Sequence, residues 1–286
     1  MSTGLDKGSA PATAPTRQPA MLRRAHGNRW APIIFPILLA VLVITVWQVV
    51  CTARDIPEFL FPAPSTVLGA AREHAGLITS AFVVTGTEAA IAFGASATVG
   101  IVGAFILSSN RVIELSAYPY AILLQTIPSI ATAPLIIIWF GVNQTSVVII
   151  ATIMAFIPVL SNTLIGLRSA DRRMVELFTL FNASKRQTLL RLCIPASLPY
   201  IVSGLRVSST MSVIGAIVAE YISGIGSGRA GLGFLITKSA SRFETPLLFA
   251  AGLACAALGI IFFQLVQLTG RLLLSSWHES EMSTIS

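Results

Sequence analysis

Glu176, Asn182, Ser184 and Gln187, with Pro195 and Pro199 downstream, have types and spacing suited to helix-end chemistry. A carboxylate at Glu176 suits the positive end of a helix dipole, so a first short helix is expected to begin there. Asn182 tolerates the left-handed conformation and can end that helix while turning the chain. Ser184 and Gln187, three residues apart, have the spacing of a capping box, which would start a second helix. Pro195 and Pro199 are expected to mark the passage into the next apolar segment. A polar, basic insert of two short helices and a hinge, set in an otherwise apolar chain, reads as a place where a soluble partner docks.

Bond-making chemistry has little to stand on. The stretch Gly226-Ser-Gly228-Arg-Ala-Gly231 matches the G-x-G-x-x-G pattern of dinucleotide sites. It follows an apolar segment with no β-α-β unit around it, so a flexible outer loop or a re-entrant turn is the better reading. The chain contains no G-x-x-x-x-G-K-[ST], HExxH or GxSxG motif, and His26, His74 and His278 are scattered. No catalytic residue and no metal site are expected. Cys51, Cys193 and Cys255 lie far apart and read as small apolar residues rather than a disulfide frame.

The elements that position the insert are membrane spans. Hydrophobic residues make up 54% of 286 and charged residues 11%, and the mean hydropathy of +0.80 lies outside the range of soluble domains. Segments long enough to cross a bilayer, about 20 residues each, recur at Trp30–Val50, Thr85–Leu107, Leu115–Phe140, Ser146–Leu167, Ala196–Ile222 and Thr245–Leu274. The fold class expected is an all-α membrane protein of about six transmembrane helices. Residues 1–28 read as a disordered cytoplasmic tail, 29–52 as the first span, and 60–275 as a core of five spans carrying the cytoplasmic loop 168–195. The first span is too long for the apolar part of a cleaved signal peptide.

Charge gives the orientation. With the N-terminus inside, thirteen Lys and Arg residues fall on the cytoplasmic side, among them Arg168, Arg172, Arg173, Lys185, Arg186, Arg191 and Arg271. Five fall outside (Arg54, Arg72, Arg229, Lys238 and Arg242), and Arg206 lies within a span near its cytoplasmic end. Both termini and the loop are then cytoplasmic. The net charge of +7 speaks of topology and anionic membrane lipid, and no nucleic-acid partner is expected.

Ionisable and hydroxyl residues inside the spans are candidates for a pathway. Glu88 and Glu220 fall within or near the hydrocarbon. Ser208-Ser209-Thr210-Met211-Ser212, with Gly215 and Glu220, give the fifth span a small polar face that serves either helix packing or pathway lining. In the third span, Pro128 and Pro134 break a helix around Gln125, Thr126 and Ser129, as a translocation path would use. The candidate pathway residues are therefore Gln125, Thr126, Ser129, Ser209, Met211, Ser212 and Glu220. An ion-coupled secondary transporter with Glu88 and Glu220 as carriers is the alternative reading.

The insert also resembles the cytoplasmic "EAA" loop of the permease subunits of bacterial ABC importers. That pattern runs Glu-Ala-Ala, three residues, Gly, nine residues, Ile-x-Leu-Pro. Here Glu176, Asn182 and Leu192-Cys193-Ile194-Pro195 hold its positions at the same spacing, with Leu177 and Phe178 for the alanines and Asn182 for the glycine. Phe61-Pro62-Ala63-Pro64-Ser65, Thr126-Ile127-Pro128, Trp139-Phe140-Gly141, Pro195-Ala196-Ser197-Leu198-Pro199 and Gly204-Leu205-Arg206 are similar to the nitrate/sulfonate/taurine branch of that family, which includes relatives handling thiamine-pyrimidine precursors and riboflavin. The resemblance covers roughly residues 60–270.

It implies a type I importer permease fold in the inner membrane, with the translocation pathway formed by two permease copies. A separate ABC ATPase subunit would bind ATP and Mg, and a substrate-binding protein would deliver a small nutrient, either a sulfonate- or nitrate-like anion or a vitamin-precursor heterocycle. This chain itself would bind no cofactor. Glu176, Asn182, Ala183, Ser184, Lys185, Arg186 and Pro195 would then form the coupling loop that docks on the ATPase.

Overall fold

Small residues let the helices of this bundle approach closely, among them its two central helices. The computed structural model describes residues 31–110, 112, 113, 115, 116, 119, 120, 123, 129–223 and 231–282. Among these the chain is helical and turn-connected, with no strand. The elements are α1 (Ala31–Ala53), α2 (Pro64–Glu73), α3 (Ala75–Ser109), α4 (Ser129–Phe140), α5 (Gln144–Leu167), α6 (Arg172–Leu180), α7 (Lys185–Thr188), α8 (Ile194–Ser223), α9 (Leu232–Ser241) and α10 (Thr245–Met282). A π-helical turn, Leu189–Cys193, joins α7 to α8.

Five described helical runs are long and apolar enough to cross a membrane: Ile34–Ala53, Ala75–Ser109, Gln144–Leu167, Lys185–Ser223 and Thr245–Leu272. The expected third span, Leu115–Phe140, is described as a whole only in its last part, α4. The tail 1–28 lies outside the described residues. The helix of the second span begins at Ala75, well before the expected Thr85, because the stretch ahead of Thr85 is itself apolar and has no breaker.

The chain divides into two compact units, Met1–Trp47 and Gln48–Ser286. In the first, the α1 side chains from Ile37 to Ile44 are apolar and largely exposed, as suits a helix whose surroundings are lipid. In the second, the Gln48 side chain bonds both to the Ser65 hydroxyl (3.2 Å) and to the Ser65 amide (3.1 Å), tying the last turns of α1 to the start of α2.

At the centre of the second unit α5 packs along α8, with α3 laid across both. A Cβ added to Gly215 would fall 2.7 Å from the Ala151 Cα, and one on Gly204 would fall 3.0 Å from the Pro158 carbonyl oxygen. Such backbone-to-backbone proximity is how membrane helices gain van der Waals contact when lipid removes the hydrophobic drive to associate. Ser96 and Ser208 hydroxyls meet at 3.0 Å and cross-link α3 to α8. Gly215→Ala is expected to lower the thermal stability of the detergent-solubilised protein by about 1–3 kcal/mol, the usual cost of overpacking. Gly252→Ala, whose added methyl meets nothing within 4 Å, should leave it unchanged in the same melt.

Pro195 and Pro199 lie at the passage into the fifth span, and the helix runs on through both. The chain stays helical from Lys185 to Ser223. Pro195 lacks the N–H that would bond one turn back, and the π-helical turn Leu189–Cys193 directly before it absorbs the missing bond by widening the ladder. The loop is therefore a direct helical extension of the fifth span, so α7 and α8 share one continuous axis of backbone.

Candidate functional site

Asp171, not Glu176, starts the first loop helix. Its side chain accepts the Arg173 amide at 2.9 Å as the N-cap of α6. Glu176 lies in mid-helix and is exposed. The signal was present in the sequence, since Asp directly before Arg172-Arg173 is a strong cap. Glu176 misled because a carboxylate near a helix start has no fixed offset from it.

The hinge is as expected from Asn182. Its φ is 53°, in the left-handed region. The Asn182 amide donates to the Thr179 carbonyl (3.0 Å) and the Ala183 amide to the Phe178 carbonyl (2.9 Å). That pair of bonds is a Schellman motif with Asn182 as the left-handed residue, and it uses up carbonyls that α6 would otherwise leave unpaired. Ser184 immediately starts α7 with a complete capping box. The Gln187 amide donates to the Ser184 hydroxyl (3.3 Å), and the Ser184 amide donates to the Gln187 side-chain oxygen (2.8 Å). End cap and start cap share adjacent residues, so the two helices are held at a fixed angle.

Around this hinge Leu177, Phe178, Phe181, Asn182, Ala183, Gln187 and Arg191 line a groove of about 510 Å³. Leu180 and Phe181 are 79% and 78% exposed, on a loop that charge placement puts in the cytoplasm. Two large apolar side chains standing out of a basic helical hinge, with Lys185 and Arg186 exposed beside them, make a patch that calls for a protein partner. Leu180 and Phe181 were legible only as part of the insert, because no local pattern says which side of so short a helix stays uncovered. Pro195 lies where α8 begins, partly buried, and away from the groove.

A second cluster sits at the other end of α8. Glu220 is 6% exposed and caps α9 from a neighbouring helix. Its Oε2 accepts the Gly233 amide at 2.7 Å, and its Oε1 accepts the Thr85 hydroxyl at 2.7 Å. Thr85 in turn accepts the Leu232 amide at 2.8 Å. The first amides of α9 are thus taken by side chains from α3 and α8. A Cβ on Gly231 would collide with the Glu220 carboxyl group, and one on Gly233 would collide with the Ile217 carbonyl oxygen. These two glycines are needed for close approach rather than for a phosphate: the amides that a phosphate would use already have acceptors. Gly226 and Gly228 lie outside the described residues.

Glu88, 5% exposed, lies beside Glu220, and its Oε2 has no hydrogen-bond partner among the described residues. Both carboxyl groups are buried within the bundle.

The remaining candidate pathway residues separate. Ser209 and Ser212 are fully buried and donate to carbonyls of their own helix, at Arg206 (2.7 Å) and Ser209 (2.9 Å). Met211 is half-buried. Within one chain Ser209 and Ser212 pack inside the bundle around α8. Gln125 and Thr126 lie outside the described residues, and Ser129 opens α4 with its side chain undescribed. Thr85 was missed by sequence reasoning because its partners lie 135 and 147 positions away. Among the described residues no group of His, Cys, Asp and Glu has the arrangement of a metal site.

A helical membrane bundle with a cytoplasmic two-helix hinge built into its fifth span is the architecture of a transporter permease. Residues 96–274 match the family of binding-protein-dependent transport system inner membrane components, and the chain belongs to that family. It is a multi-pass membrane permease subunit of an ABC importer. It is 31% identical to the riboflavin transport system permease protein RibX of Chloroflexus aurantiacus, over 93% of this chain and 97% of that one. It is also 31% identical to the formylaminopyrimidine transport permease protein ThiX of Halalkalibacterium halodurans, over 86% and 96%. The aliphatic sulfonates permease protein SsuC of Bacillus subtilis, a putative assignment, is 27% identical over 96% and 98%. A crystal structure described as an amino acid ABC transporter with histidines shares the fold at a TM-score of 0.57 and 19% identity, covering 70% of this chain and 95% of that one.

Proposed function

We propose that this permease docks an ABC ATPase subunit through the 172–191 hinge and carries across the membrane a small nutrient brought by a substrate-binding protein. The observation that carries the docking reading is the rigid hinge, locked by the Asn182 Schellman turn and the Ser184 capping box, with Leu180 and Phe181 exposed at its corner. ATP and Mg belong to the ATPase subunit in this reading, and the pathway forms between two copies of the permease. Since α7 runs into α8 without a break, movement of the docked hinge would pass directly to the fifth span as a rigid lever. The substrate class is a vitamin-precursor heterocycle or a sulfonate- or nitrate-like anion. The names of the riboflavin, formylaminopyrimidine and sulfonate relatives support that range.

The direct test is affinity capture of the tagged permease from native membrane in mild detergent. The intact chain should bring down an ATPase subunit, and Leu180→Ser with Phe181→Ser should lose it, because two exposed apolar anchors account for much of a small interface's affinity. Undiminished recovery from the double variant would remove the hinge from the docking site. Uptake driven by an ion gradient after ATP depletion would count against the whole reading.

A further inference from the structure

Arg206 lies at one end of an apolar groove on the outer surface of the second unit. The groove runs between α8 and α10, holds about 550 Å³, and is lined by Thr210, Val213, Ile214 and Ile217 on one side and chiefly Gly259, Ile260 and Phe263 on the other. Its volume is in the range of small-molecule sites, about 300–1,000 Å³. On α8, Arg206 continues the stripe of Thr210, Val213, Ile214 and Ile217 by one further turn toward the cytoplasm. Its Nε is buried and has no hydrogen-bond partner among the described residues. A guanidinium Nη atom lies 3.7 Å from where a Gly270 Cβ would stand, and the next residue, Arg271, is exposed. Arg206 and Arg271 therefore lie at a similar height along their two helices.

With Ser223 set at the outer surface, that height falls near the inner leaflet surface. From Ser223 at the outer end of α8 down to Arg206 the helix rises about 25 Å, against a hydrocarbon thickness of about 30 Å. The arginine pair then sits close to the cytoplasmic edge of the hydrocarbon, where lipid phosphates lie, with the apolar groove extending from it into the membrane. Basic sites between transmembrane helices on the cytoplasmic side suit anionic headgroups.

We infer that the α8–α10 groove is a binding site for one anionic phospholipid of the inner leaflet, its phosphate held by Arg206 and Arg271 and an acyl chain laid along Ile214, Ile217, Ile260 and Phe263. The buried Nε of Arg206 supplies a donor for a phosphate oxygen, and Arg271 supplies a second cation from the facing helix. Gly259 keeps the floor of the groove open, since a methyl group there would meet nothing within 4 Å.

The test uses the full chain in mild detergent, stripped of lipid and titrated with phosphatidylglycerol or phosphatidylcholine of the same acyl chains under native mass spectrometry. The intact protein should bind phosphatidylglycerol about fivefold more tightly, the preference worth one arginine near an anionic headgroup. Arg206→Gln should reduce that preference, and Arg206→Gln with Arg271→Gln should abolish it. Gly259→Leu, which fills the groove, should weaken both lipids while the thermal melt stays unchanged. A photo-crosslinking residue in place of Ile260 keeps Arg206 intact and should add the mass of one lipid to a single chain. An unchanged preference in Arg206→Gln, or crosslinks that join Ile260 to a second protein chain instead of lipid, would overturn the inference.

Discussion

Replacing Ala183 and Ser184 together with glutamate is expected to abolish substrate uptake while the protein still inserts and melts normally. Ala183 lines the groove and is half-buried, whereas Ser184 is the cap from which α7 starts. A carboxylate at 183 would have to be desolvated against the apolar corner of Phe178 and Phe181 when a partner docks. An unpaired charge at an interface costs about 2–5 kcal/mol. Loss of the Ser184 cap adds about 1 kcal/mol and loosens the hinge. ATPase affinity should therefore fall by about 100-fold or more, at about 1.4 kcal/mol per factor of ten. The measurement is uptake in membrane vesicles alongside capture of the ATPase. Ser184→Ala alone removes only the cap and should lose about fivefold, which separates the hinge from the surface. Normal uptake in the double glutamate variant would mean that the loop is not the docking element.

The second large effect is at Glu220, and there the loss should be of folded protein. Glu220→Ala removes the acceptor of the Gly233 amide and the partner of the Thr85 hydroxyl, both buried. Each buried polar group left without a partner costs about 1–3 kcal/mol, so the variant should lose about 2–6 kcal/mol, a large part of the stability of a membrane domain. Glu220→Gln keeps one carbonyl oxygen and can satisfy one of the two donors, so its melt should fall between the native protein and the alanine variant. Gly231→Ala should resemble Glu220→Ala from the other side, because its methyl group would occupy the space of the carboxyl group. If Glu220→Ala melts like the native protein, the cap of α9 is not a stabilising element. If it melts normally and alone loses uptake, Glu220 belongs to the pathway after all.

The structure also changes what the two membrane carboxylates mean. As ion carriers they would need access to water from one side and then the other. Both are instead nine-tenths buried, and both oxygens of Glu220 are committed to α3 and α9. This agrees with the family assignment in favouring an ATP-driven importer over an ion-coupled transporter. The polar face of the fifth span divides in the same way. Ser208 reaches across to Ser96, and Ser209 and Ser212 turn back onto their own helix, so within one chain these hydroxyls take part in packing.

By itself the sequence determined the elements and the hinge. Long apolar runs bounded by charge can only be satisfied as membrane helices, because lipid offers the backbone no hydrogen bonds. The turn at Asn182 and the capping box of Ser184 and Gln187 depend on contacts within six residues, so local chemistry was enough to specify them. Asp171 as the first cap was equally local and was overlooked in favour of Glu176. The tertiary structure alone decided the rest. Whether Pro195 breaks the helix depended on a π turn absorbing the lost bond, which neighbouring segments stabilise and residue type does not announce. Which of the buried polar residues would meet one another depended on α3 reaching α8 and α9 from 135 or more positions away. Nothing in the sequence around Thr85 or Gly231 encodes that approach. It follows from how the helices pack, which decides which side chains can reach a partner.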